Sequence, residues 1–224
     1  MSPSMKSSLR IVEKFVSING EGMRSGQPTV FIRLAGCNLR CSYCDTRYSY
    51  GEGGEIASES VSELVSYVLG TGLTNVTITG GEPLLQDGAV DLIRELRGRN
   101  LNVEVETNGS VDVRPAKRAG ASITLDCKSP SSGMAGHMLA DNYAAIDLRD
   151  CVKFVCGSKE DLDAAKAVID EHCLLGRTNV ILSPVFGAIE LREIAEFITE
   201  NKMSDARMQL QIHKIIWNPE ERGV

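Results

Sequence analysis

The strand-like segments of this chain each carry one apolar row and one polar row. Val76 and Ile78 alternate with Thr77 and Thr79, Val103 and Val105 with Glu104 and Glu106, and Ile123 and Leu125 with Thr124 and Asp126. Leu210 and Ile212 alternate in the same way with Gln209, Gln211 and His213. Successive side chains of a strand point to opposite faces, so each segment has one oily and one polar side. A parallel strand covered on both faces would be apolar almost throughout. The pattern predicts a curved sheet, with helices on its convex side and a polar, ligand-filled lumen on its concave side. The competing reading is an uncovered sheet whose polar row meets solvent.

Helical segments separate these strands. A strand is expected over 28–36 and a Gly-rich loop over 37–57. Ser60-Val61-Ser62-Glu63 is a capping box, and Val61, Leu64, Val65, Val68 and Leu69 then recur on one helical face. A strand over 75–79 leads to Gly80-Gly81, and Asp87 can cap a helix that buries Val90, Ile93 and Leu96. Strands over 102–107, 122–127 and 151–156 follow, then a helix opened by Ser158 that carries Leu162, Ala165, Val168 and Ile169. A strand over 178–183, a helix over 189–201 and a strand over 207–213 complete the pattern. Repeated βα units imply a mostly parallel sheet with right-handed crossovers. A complete eight-fold barrel typically needs about 250 residues. A chain of 224 is therefore expected to form one domain, 1–224, of the α/β class, built as a partial or modified (β/α) barrel.

The formal net charge of −6 argues against general nucleic-acid binding, which needs a basic footprint. The start Met1-Ser2-Pro3-Ser4-Met5-Lys6 is polar and does not read as a signal peptide, and no apolar run approaches the ~20 residues of a membrane span. Seven cysteines, an odd number with one tight group, fit a reducing cytoplasm better than a disulfide scaffold.

That group is Cys37-Asn38-Leu39-Arg40-Cys41-Ser42-Tyr43-Cys44. Its CxxxCxxC spacing can put three thiolates on one [4Fe–4S] cube and leave the fourth iron open to a small molecule, whereas such clusters normally take four cysteines. A structural zinc site is the alternative, but it wants four ligands. The remaining cysteines, Cys127, Cys151, Cys156 and Cys173, lie far along the chain. Cys151 and Cys156 are an odd number apart on one strand and point to opposite faces, so these four read as small buried residues.

Thr79-Gly80-Gly81-Glu82-Pro83 follows about forty residues later, between a strand and a helix. The two motifs, with Tyr43 as the aromatic before the last cysteine, resemble the signature of the radical S-adenosylmethionine (SAM) enzymes. The wider set is Ser17-Ile18-Asn19-Gly20-Glu21-Gly22, Arg33, Cys44-Asp45-Thr46, Glu106-Thr107-Asn108-Gly109, Asp126-Cys127-Lys128-Ser129-Pro130-Ser131 and His213-Lys214. It resembles the family of 7-carboxy-7-deazaguanine synthases, which act in the 7-deazapurine (queuosine and archaeosine) pathway. The resemblance runs from residue 10 to Arg222-Gly223-Val224.

The resemblance implies conversion of 6-carboxy-5,6,7,8-tetrahydropterin to 7-carboxy-7-deazaguanine with loss of ammonia, using one [4Fe–4S] cluster, SAM and Mg²⁺. In this family a SAM-derived radical carries the hard chemistry, so the chain supplies positioning rather than catalytic side chains. Carried over by position, Cys37, Cys41 and Cys44 would hold the cluster, and Glu82 with the Gly80-Gly81 backbone the SAM amine. Tyr43 would border SAM, with Ser129, Ser131 and Asn108 at its carboxylate or ribose, and Thr46 would meet Mg²⁺. Asn19, Gly20 and Glu21 would read the amide and amino edge of the pterin, Arg33 would grip its carboxylate, and Glu106 and His213 would complete the pocket. Position 19 holds Asn where Gln is common in the family, and residues 183–187 offer adenine no obvious polar group. Residues 214–224 are expected to close the pocket. Lys128 and Lys153 are left without a ligand. The family also implies a small electron donor such as flavodoxin or ferredoxin, a homodimer, and neither nucleic acid nor membrane as partner. Two rival readings remain: an activase that installs a glycyl radical on a partner protein, and a non-catalytic iron–sulfur redox protein.

Overall fold

The polar rows line up across strands. In the computed structural model, which describes residues 7–51 and 56–224, Arg33 pairs in register with Thr79, Thr77 with Glu104, Glu106 with Thr124 and Asp126 with Lys153. The apolar rows align likewise, through Ile32, Ile78, Val105 and Ile123, and through Leu125 and Val152. The result is a nine-stranded sheet with one polar and one apolar face.

Along the chain, β1 (Ser8–Ile18), β2 (Pro28–Leu34) and β3 (Ala57–Ser60) come first, followed by α1 (Val61–Thr71) and β4 (Asn75–Gly80). Next are α2 (Gly88–Arg97), β5 (Asn102–Thr107), α3 (Arg114–Arg118), β6 (Ser122–Cys127) and α4 (Asp141–Ala145). β7 (Cys151–Cys156), α5 (Lys159–Glu171), β8 (Asn179–Pro184), α6 (Leu191–Glu200), β9 (Ala206–Met208) and α7 (His213–Ile216) complete the chain. The strand order is β3-β1-β2-β4-β5-β6-β7-β8-β9. β1 runs antiparallel to β2 and β3, and every other pairing is parallel. This is an α/β partial barrel.

The apolar face and the helices that cover it form the core, where Ile32, Ile78, Val105, Ile123 and Phe154 meet Leu64, Leu92, Leu162 and Ile194. The polar face is not open to solvent. Thr77, Glu104 and Thr124 are buried, Glu104 with 1% of its surface exposed, which removes the uncovered-sheet reading. No helix among the described residues is long and apolar enough to cross a membrane.

The helix ends follow local chemistry. The capping box at α1 forms, with the Glu63 amide donating to Ser60 Oγ at 3.2 Å and the Ser60 amide to Glu63 Oε2 at 2.7 Å. Gly72 ends α1 at φ 71°, a conformation that favours glycine. Ser158 caps α5 through the Asp161 amide.

Five expectations need correction. Cys173, expected to be buried with the other lone cysteines, is exposed, because it lies just past the end of α5 and off its buried stripe. Leu69 is 50% exposed, because the buried stripe of α1 runs through Val61, Leu64, Val65 and Val68 and ends one residue earlier. The Asp87 side chain makes no capping bond, since its backbone is already helical. The buried face of α2 is Ala89, Leu92, Ile93 and Leu96, and Val90 is only half-buried. The last strand stops at Met208 rather than continuing to residue 213. Gln209 makes the last contact with β8, its amide donating to Leu182 O at 3.0 Å, while its side chain binds Gly22, and His213 starts a helix. The glycines at 53 and 54 in the cysteine loop lie outside the described residues.

Candidate active site

A cavity of about 350 Å³ opens at the carboxyl ends of the parallel strands, with the cysteine loop at one end and the turn after β1 at the other. Cys37, Cys41 and Cys44 are half-buried and all line it. The loop that carries them is fixed by backbone bonds. The Glu82 amide donates to Gly36 O at 2.8 Å, the Gly81 amide to Leu34 O at 3.1 Å, and the Gly36 amide to Ser49 O at 2.7 Å. Gly80 sits at φ 154°, where a Cβ would collide with the backbone of Leu34. The two glycines thus let one backbone cross another as well as edge the cavity.

The thiols fit an iron–sulfur cube. Cys37 Sγ accepts from the Leu39 amide at 3.4 Å and from Asn108 Nδ2 at 3.6 Å, and Cys44 Sγ lies 3.7 Å from Thr46 Oγ1. Such donors stabilise thiolates and tune a cluster. Among the described residues no group of three His, Cys, Asp or Glu converges on one ion. By the same test Mg²⁺ would need its oxygens from Thr46, a ligand and water.

The predicted SAM residues divide. Tyr43, Gly80, Gly81 and Asn108 line the cavity. Burial pushes the Tyr43 phenol up to about 12, so it stays neutral, and it meets Ser129 Oγ at 3.1 Å and Val155 O at 3.3 Å. Glu82, Ser129 and Ser131 do not line the cavity. Glu82 is fully buried and accepts from the Asn108 amide at 2.7 Å, the Leu84 amide at 3.0 Å and Thr107 Oγ1 at 2.9 Å. Its carboxylate ties β5 to the glycine turn. Ser129 donates to Val155 O at 2.8 Å, and Ser131 is bound to the Asp161 carboxylate.

All six predicted substrate residues, Asn19, Gly20, Glu21, Arg33, Glu106 and His213, line the cavity. Asn19 orders its neighbours. Its Oδ1 accepts from the Glu21 amide at 3.1 Å, and its Nδ2 reaches Glu104 Oε2 at 3.3 Å. Arg33 spends Nε on Glu13 at 2.6 Å, and among the described residues its Nη atoms find no hydrogen-bond partner. Burial pushes the Glu106 carboxyl up to about 7, although Lys153 attracts a charge there and Thr79 Oγ1 donates to it at 2.9 Å. Burial also lowers His213, whose ring packs on Gly20.

The structure adds residues that the sequence reading left out. Lys153 is buried in the cavity wall with Nζ 2.7 Å from Glu21 Oε2. Lys128 pairs with Asp126 at 2.6 Å, also on the wall. Glu21 Oε1 and Asp126 Oδ1 are buried without a partner among the described residues. Two orphaned carboxylate oxygens on one cavity fit a polar ligand with N–H groups. Pro219 to Val224 line the cavity too, and Arg222 stacks on the Tyr48 ring at 3.9 Å. The aligned polar rows could have pointed to Lys153 and Asp126, while 219–224 fall within the segment 214–224 already expected at the pocket.

The Radical SAM superfamily profile matches residues 31–199. A 7-carboxy-7-deazaguanine synthase of Clostridium acetobutylicum is 48% identical over 96% of this chain and 99% of its own length. Proteins of the same name from Chlorobaculum tepidum and Methanospirillum hungatei are 41% and 42% identical over 99% and 96% of this chain, and over 100% and 88% of their own lengths. Among solved structures, QueE from Escherichia coli superposes with a TM-score of 0.76 over 91% of this chain and 93% of its own. At 22% identity that likeness speaks for the fold alone. The thiol loop, the glycine turn and the identities across nearly the full length converge: this chain belongs to the radical SAM superfamily and, within it, to the 7-carboxy-7-deazaguanine synthases.

Proposed function

We propose that the cavity binds 6-carboxy-5,6,7,8-tetrahydropterin and that the enzyme, a carbon–nitrogen lyase, turns it into 7-carboxy-7-deazaguanine with loss of ammonia. The observation that carries this reading is one cavity lined both by three thiols and by Glu21, Arg33 and Glu106. When bound, the [4Fe–4S] cluster and SAM supply the radical that removes a substrate hydrogen. The chain's own residues then hold and shield the reacting parts. Cys37, Cys41 and Cys44 hold the cluster, and the Gly80-Gly81 backbone and Asn108 border SAM. Glu21 accepts from the guanidine-like edge of the pterin. The Nη atoms of Arg33 meet its carboxylate, and Thr46 contributes an oxygen to Mg²⁺. Positioning of this kind accounts for much of catalysis when the cofactor carries the chemistry.

Residues 219–224 wall the cavity, which suits a small substrate better than the protein-docking groove of an activase. The product feeds a 7-deazapurine pathway, in the cytoplasm. The enzyme takes electrons from a small donor such as flavodoxin or ferredoxin and works as a homodimer; the donor and the dimer rest on the family resemblance.

Anaerobic turnover tests the reading. With reconstituted cluster, reductant, SAM, Mg²⁺ and the pterin, the product mass of 7-carboxy-7-deazaguanine is expected, and Cys41→Ala abolishes it. Slow 5′-deoxyadenosine release without that product would leave the radical chemistry and reject the substrate.

A further inference from the structure

The contacts proposed for the pterin leave Lys153 without a task, although its position is costly. It sits in the middle of β7 between Val152 and Phe154, both buried, and its side chain is 7% exposed. A buried ammonium costs several kcal/mol unless it is paired. Its partner, Glu21, stands on the turn after β1, 13% exposed, and β1 and β7 are separated in the sheet by β2, β4, β5 and β6. The pair therefore spans the lumen.

The turn is already held without it. The Glu21 amide bonds to Asn19 Oδ1, the Gly22 amide to Gln209 Oε1 at 2.8 Å, Gln209 Nε2 to Gly22 O at 3.0 Å, and the Ile212 amide to Gly20 O at 3.3 Å. The Glu21 carboxylate is different. Its one hydrogen-bond partner among the described residues is Lys153, on Oε2, while Oε1 is buried on the cavity wall with none.

We propose that Lys153 is a positioning residue for Glu21: by holding Oε2 it fixes the carboxylate so that Oε1 is presented to an N–H group on the edge of the substrate. The inference rests on the pterin reading of the cavity. It makes Lys153 a specificity element for substrates that carry N–H donors at that edge and against isosteres that carry an oxygen there. The charges agree. Burial pushes the Glu21 carboxyl up, but Lys153 outweighs it and keeps the group below its ordinary value; His213 also favours the charged form and Asp45 opposes it. Around Lys153, Asp126 on β6 and Glu106 on β5 add attraction.

The test is a double-mutant cycle on the reconstituted enzyme, reading KM and calorimetric Kd for 6-carboxytetrahydropterin beside kcat and SAM affinity. Lys153→Met is expected to raise KM and Kd about tenfold or more, the scale of a broken charged hydrogen bond, with kcat and SAM affinity within about threefold of wild type. Lys153→Arg recovers most of the loss. Glu21→Gln weakens binding by itself, and adding Lys153→Met to it weakens binding no further. Multiplicative losses would overturn the inference, because Lys153 would then act without Glu21. A fall in kcat at unchanged KM would also overturn it and make Lys153 a participant in the chemistry. If Lys153→Met fails to fold, Lys153→Gln is measured in its place; if both fail, the pair is a structural strut and the inference falls. Wild type that neither binds nor converts the pterin rejects the substrate reading itself, whereas intact wild-type turnover with an uncoupled cycle rejects only the role of Lys153.

Discussion

Gly81 lies so close to Gly36 that a Cβ on it would overlap the Gly36 carbonyl oxygen and stand 2.7 Å from the Cβ of Cys37. The residue after β4 therefore sets the position of the first thiol through backbone contact. Gly81→Ala must push the cysteine loop outward, an overpacking that costs about 1–3 kcal/mol. Iron and sulfide per chain after reconstitution are expected to fall to roughly half of wild type or less, with a lower Tm. Unchanged iron content would show that the loop can yield without losing its cluster geometry.

Gly20 and His213 meet in the same way at the other end of the cavity. A Cβ on Gly20 would overlap the imidazole Nδ1 and lie 2.8 Å from its Cγ. Gly20→Ala should displace His213 while leaving the thiols alone. The expected result is a roughly tenfold rise in KM for the pterin, with the cluster's visible absorption unchanged. A fall in cluster loading instead would mean that the turn after β1 supports the whole site.

Glu106 gives a pH signature. Folded, its carboxyl sits at about 7 because burial disfavours the charge; unfolded, a glutamate releases its proton near ~4.3. The folded state thus holds more protons between these values. The stability this group contributes is complete below the unfolded value and is lost as pH rises through about 7. Glu106→Gln should flatten that loss and gain about 1–3 kcal/mol over wild type at pH 8, with little difference at pH 4. Urea unfolding at the two pH values measures it, and equal differences at both would place the charge elsewhere.

Arg222 links the final segment to the substrate end. It stacks on Tyr48, whose hydroxyl donates to Glu13 Oε1 at 2.9 Å, the same oxygen that Arg33 Nε reaches at 2.6 Å. Removing a stacked guanidinium typically loses about 0.5–1 kcal/mol. Arg222→Ala should therefore raise the pterin KM about two- to fivefold and leave SAM affinity alone. An equal loss of SAM affinity would mean that 219–224 closes over both ligands together.

The sheet was legible because its strands repeat with period two. Residues 102–107, 122–127 and 151–156 form strands as expected, and the buried Glu104 and Thr124 confirm that the polar row faces inward. The cysteines and the turn 19–21 were legible as motifs. That Glu82, Ser129 and Ser131 stand behind the cavity wall was not legible, because a motif names a residue without saying which way it turns after the strand ends. Glu82 turns inward to three N–H and O–H donors that come from Leu84, Thr107 and Asn108. The 207–213 strand was overcalled because Gln209 and Gln211 alternate with Leu210 and Ile212 as a strand would, yet after Gln209 the chain turns to the β1 turn, where the Ile212 amide bonds to Gly20 O. Lys153 was missed because one charge inside an apolar strand reads as an exception until the register shows what stands opposite.

The sheet never closes: β3 ends one side and the three-residue β9 the other, and the turn after β1 meets the segment after β9 through the Gln209 clamp and the single backbone bond from Ile212. A hydrogen-bonded ladder opens only as a unit, but a clasp of a few contacts can part by itself. The clasp is therefore expected to part more readily than the thiol-bearing wall, which is stitched into the parallel strands. Amide exchange at Gly20 and Gly22 faster than in β4 and β5 would be its signature.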